Sequence, residues 1–97
     1  MAIMVLVEAK AKAESTGELK ESMGKLFPDT RAYDGCRGIT AYQDLDDEQT
    51  VVLVEFWDTR EHYERYLAWR TETGVIAQLV AMLEGEPSIR YFETMDA

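Results

Sequence analysis

Three side chains able to move a proton lie close together in the chain: Glu55, His62 and Tyr66. A carboxylate, an imidazole and a phenol can each serve as general acid or base, and imidazole is the type that titrates nearest neutrality. His62 is therefore a natural base by type, and from the first turn of a helix it either lines a pocket mouth or points to water. Glu55 shares a strand face with Leu53 and Trp57, which makes it either a buried, paired acid or a pocket carboxylate. These three are the candidate catalytic residues. Trp57, Tyr63 and Trp69 surround them on a strand end and the following helix, where such aromatics either wall a substrate pocket or fill a core. Arg70, four residues after Tyr66, and Arg90, beside Tyr91 in mid-strand, either hold an anionic substrate oxygen or pair with surface acids.

Other chemistries are excluded by residue type. The chain has one cysteine and one histidine, so an internal disulfide and a multi-histidine metal site are both out of reach. No metal or cofactor is expected. Cys36, in Tyr33-Asp34-Gly35-Cys36-Arg37-Gly38, reads as a small half-buried thiol rather than a nucleophile. Nineteen acidic against ten basic residues give a net charge of -9, which repels phosphate backbones and anionic bilayers. Neither nucleic acid nor membrane is an expected partner. Apolar runs fall well short of the roughly 20 residues that span a bilayer, and the expectation is a soluble, cytoplasmic protein.

The elements that must position these residues read β-α-β-β-α-α-β in a single domain over residues 1–97. Strands are predicted over 3–9, 39–44, 50–57 and 89–95. Ser15 and Glu18 have capping-box spacing ahead of a helix with an apolar stripe of Leu19, Met23, Leu26 and Phe27, which Pro28 is expected to stop. Asp58 and Glu61 are placed to open a second helix that carries Tyr63, Tyr66, Leu67 and Arg70 on one face. Gly74 separates it from a third stretch over 75–84. The strand over 51–57 is apolar on both faces: Val51, Leu53 and Trp57 point one way, Val52, Val54 and Phe56 the other. Three helices cover one face of a four-stranded sheet, so the second calls for another cover, most simply a second copy of the chain.

The stretch Glu55-Phe56-Trp57-Asp58-Thr59-Arg60-Glu61-His62-Tyr63, preceded by the hairpin with Gly35 and Gly38, resembles the signature of antibiotic biosynthesis monooxygenase domains. The resemblance implies a ferredoxin-like α+β fold with a four-stranded antiparallel sheet, paired through its open face into a dimeric α/β-barrel. It also implies cofactor-independent oxygenation of a small aromatic substrate of quinol or anthrone type, in which a base forms an electron-rich anion inside a dry pocket. Two departures narrow this. Tyr66 stands where the family often has His, and the sequence contains no Asn, on which the best-understood relatives rely. Ile76 occupies the place of a haem-ligating His, so haem degradation is not expected. The alternatives are a non-catalytic binding module for a hydrophobic metabolite and a small-molecule isomerase, the latter disfavoured by the low Lys and Arg count.

Overall fold

The computed structural model describes residues 2–97. Four strands, β1 (Ile3–Lys10), β2 (Cys36–Gln43), β3 (Thr50–Trp57) and β4 (Ser88–Phe92), form one antiparallel sheet in the order β2-β3-β1-β4. Three helices, α1 (Thr16–Ala32), α2 (Arg60–Glu72) and α3 (Val75–Val80), connect them. This is the ferredoxin-like arrangement that the element order predicts, and β3 has the predicted limits.

The strand register fixes which residues reach the helices. Val5 pairs with Glu55 and Tyr91, so odd-numbered residues of β1, β3 and β4 share one face. Val5 and Trp57 are fully buried there, with Tyr63 of α2 packed against them. A second cluster of Ala11, Leu19 and Leu83 closes the other end of the same layer. On the opposite face, Met4, Leu6, Val52 and Val54 are only half-buried, and Phe56 and Phe92 are exposed. The two-sided apolar pattern of β3 thus corresponds to one face covered by helices and one left open.

The structure departs from expectation where local hydrogen bonds override simple stop and cap signals. Pro28 lies inside α1, which runs on to Ala32. A proline there removes one backbone bond, but the Thr30 hydroxyl donates to the Leu26 carbonyl at 3.2 Å and the Arg70 guanidinium reaches the same carbonyl at 2.9 Å. These ties hold the last turn. Ser15 makes no side-chain cap bond. Thr59 rather than Asp58 caps α2, accepting from the His62 N–H at 3.1 Å, while Asp58 binds Arg37. The third helix ends at Val80, because Leu83 bridges to Ala11 and the Lys12 and Glu84 N–H groups bond across that junction. β4 ends at Phe92, short of residue 95.

Candidate functional site

A cavity of about 130 Å³ lies between the sheet and the helices. Its floor includes Val7, Leu53 and Glu55. Leu26 and Thr30 of α1 and Tyr63 and Tyr66 of α2 form walls, and Ile76 and Leu79 of α3 cover it. Nearly everything facing the space is hydrocarbon. Glu55 is the exception among ionisable carboxylates, 2% exposed and on the floor.

Alternation puts Glu55 and Trp57 on the same strand face, about 7 Å apart along the backbone. That spacing suits a carboxylate and an indole: Trp57 Nε1 donates to Glu55 Oε1 at 3.1 Å. It is the physical content of the Glu-x-Trp pair in the sequence. One neutral donor does not replace the water lost on burial, so burial pushes the Glu55 carboxyl up to about 7 while the indole bond pulls it down. The group is poised to exchange a proton near neutrality. Burial likewise pushes the Tyr63 phenol well above its usual range, with the nearby Glu55 adding to it.

A second polar cluster lies at the wall that Thr30 of α1 and Tyr66 of α2 form. Tyr66 and Thr30 hydroxyls lie 2.6 Å apart, and Arg70, 4% exposed, donates from Nε to the Tyr66 hydroxyl at 3.1 Å and from a terminal nitrogen to Thr30 Oγ1 at 3.2 Å. The spacing of Tyr63, Tyr66, Leu67 and Arg70 on one face of α2 produces this, as the sequence predicts. Arg70 also stacks over Trp69, 4.5 Å from the ring centroid, and makes no ion pair with an acid among the described residues. Thr30 and the Leu26 carbonyl were not legible as site groups, because a helix ended at Pro28 excludes Thr30. The signal was present, since Thr30 continues the stripe of Leu19, Met23, Leu26 and Phe27 at helical spacing.

The remaining candidates lie outside the cavity lining. Trp57 backs Glu55 from the core and packs against Tyr63 and Tyr66 at centroid distances of 5.6 and 5.0 Å. Trp69 stacks on Tyr33 at 5.3 Å; Tyr33 also meets Trp57 and Tyr66 edge-on and joins the aromatic set, which the sequence did not single out. His62 packs over Gly35, and its Nδ1 lies 2.7 Å from Thr59 Oγ1. A side chain at Gly35, whose φ is +88, would collide with the imidazole. His62 therefore neither lines the cavity nor points freely to water. Arg90 is exposed and stands on the open face, beside Phe92, because it alternates with the cavity residue Ile89. The structure thus brings Glu55, Tyr63 and Tyr66 to one cavity, with Arg70 directly behind Tyr66, and separates His62 and Arg90 from them.

The fold and this buried site define a small α+β domain of a known class. The sequence profile described as antibiotic biosynthesis monooxygenase matches residues 2–71, and the chain belongs to that family. Solved structures agree on the fold. A conserved protein from Methanosarcina mazei Go1 superposes with a TM-score of 0.89 at 20% identity, covering 98% of this chain and 94% of that one. Rv0793 from Mycobacterium tuberculosis gives 0.86 at 20% identity, with 100% and 98% covered. A mutant of SnoaB, a cofactor-independent oxygenase from Streptomyces nogalater, gives 0.84 at 12% identity, with 99% and 95% covered. No curated protein sequence matches the chain. No helix among the described residues is long and apolar enough to cross a membrane.

Proposed function

We propose that this protein is a cofactor-independent monooxygenase of a small, single-ring quinol-type aromatic, with Glu55 as general base. The observation that carries the reading is the Glu55 carboxyl, buried on the floor of an apolar cavity and held near neutrality by that burial. A base of this kind takes a proton from a ring hydroxyl without competing water. The electron-rich anion then reduces dioxygen, and a bond forms between a ring carbon and oxygen. As the peroxide O–O bond and the ring C–H bond break, water leaves and a carbonyl forms. A quinol and dioxygen thus become a hydroxyquinone and water, with the substrate supplying all electrons.

Cavity size supports a single ring. A cavity of about 150 Å³ lined by Leu, Ile and Phe holds benzene, and the space here is about 130 Å³. A tricyclic anthrone would require the helices to part. Tyr63 offers a substrate contact on the same wall.

The open sheet face fits the same reading. We infer that it pairs with a second copy of the chain, burying Met4, Leu6, Val54, Phe56 and Phe92. Sedimentation at micromolar concentration should show a dimer, and a single species near 11.1 kDa would contradict the pairing.

The test of activity is oxygen uptake with a panel of monocyclic quinols in metal-chelated buffer. Uptake above the reagent blank, lost in Glu55→Gln, is expected; no uptake with any member would count against the reading. A second reading, a binding module for a hydrophobic ring, is favoured by one observation: the hydroxyls of Tyr66 and Thr30 already bond to each other and to Arg70. Saturable binding with the ligand recovered unchanged would select it.

A further inference from the structure

We infer that Thr30, Tyr66 and Arg70 form an oxyanion-holding subsite at the wall of the cavity between α1 and α2, selecting ligands whose ring carries an ionisable hydroxyl. The inference rests on the aromatic-cavity reading above and specifies its substrate class.

A guanidinium keeps its charge throughout the ordinary pH range, and a charge removed from water requires compensation. Arg70 is 4% exposed, yet among the described residues its hydrogen bonds end only on neutral oxygens: the Tyr66 hydroxyl, Thr30 Oγ1 and the Leu26 carbonyl. Its remaining compensation is aromatic, from Trp69 at 4.5 Å and Tyr66 at 5.4 Å. The cluster holds a cation and lacks an anion among the described residues. Of its members, Thr30 and Tyr66 line the cavity.

The directions of the hydrogen bonds show how a ligand is served. Thr30 donates to the Leu26 carbonyl, so the Tyr66 hydroxyl donates to Thr30 Oγ1. Thr30 Oγ1 also accepts from Arg70 at 3.2 Å. When a phenolate oxygen enters, the Tyr66 proton turns to it and Thr30 keeps its second donor, so no buried polar atom is orphaned. Arg70 bonds to the Tyr66 oxygen at the same time and stabilises the anion through it. Arg70 is thus a positioning residue and Tyr66 the one that touches the ligand.

The test uses 4-fluorophenol, whose neutral and ionised forms differ in fluorine NMR shift, with fluorobenzene as the neutral isostere. Both are measured on the full chain carrying Glu55→Gln, which removes the competing acid. Binding should favour the phenolate about tenfold over the neutral phenol, as a lowering of the bound ligand's pKa by about one. Adding Tyr66→Phe, or Arg70→Met, should abolish that preference while fluorobenzene binding persists, which also reports an intact cavity. If Arg70→Met unfolds the chain, Tyr66→Phe alone decides. An unchanged phenolate preference in Tyr66→Phe, or none without it, would overturn the subsite. Phenolate capture without oxygen uptake on quinols would overturn the oxygenase reading and leave the subsite standing. Oxygen uptake without phenolate preference would do the reverse.

Discussion

Glu55 and Arg70 are both almost wholly buried, at 2% and 4% exposure, but the partners that replace water differ in kind. Glu55 is given a single neutral donor, the Trp57 indole, and its carboxyl rises to about 7. Arg70 is given three oxygen acceptors and an indole face in place of the water it loses. The cavity floor therefore carries a proton-exchanging carboxyl, and the wall between α1 and α2 is backed by a guanidinium. A buried ionisable group is read by what surrounds it, not by its type alone.

The contrast is broken most strongly from the side of Arg70. Arg70→Met leaves the Leu26 carbonyl and the Tyr66 oxygen short of a donor and should destabilise the fold by about 3 kcal/mol, measured by urea unfolding. On the other side, the pH dependence should follow Glu55. Its carboxyl is near 7 folded and has an ordinary value of 4.5, so between these values the folded state binds more protons than the unfolded one. Stability from this group is fully present below 4.5 and is lost as pH rises through about 7. The loss amounts to about 3 kcal/mol, and Glu55→Gln should flatten it. Asp47 and Asp58 act in the opposite direction at lower pH, because hydrogen bonds from Thr50 and Arg37 hold their carboxyls below the usual aspartate range.

Smaller effects sharpen the same comparison. Tyr66→Phe should cost about 1 kcal/mol, since the Thr30 oxygen keeps its bond from Arg70. Thr59→Ala removes the α2 cap and should also cost about 1 kcal/mol. It should leave the pH dependence assigned to Glu55 intact, because the cap lies outside the cavity lining.

Much of this was legible in the sequence, and the rest was hidden for identifiable reasons. The acidic loop before Thr50 and the helix start after Trp57 bounded β3, and alternation gave the shared face of Leu53, Glu55 and Trp57, because a strand's side chains have no other geometry available. The helical spacing of Tyr66 and Arg70 likewise put them on one face of α2, where they meet. His62 was misleading because its ring is held by its own cap residue Thr59 and by Gly35, a contact across a positive-φ turn that spacing does not reveal. Arg90 required the strand register, since only its alternation with Ile89 shows that it faces away. Thr30 was lost behind Pro28, because the stop that a proline usually signals does not occur and α1 runs on to Ala32.

The central claim, that Glu55 is the proton-exchanging group of the cavity, is tested most directly by titrating its side-chain carboxyl carbon by NMR in selectively labelled protein. A midpoint near 7 is expected. A midpoint near its ordinary value of 4.5 would contradict that role.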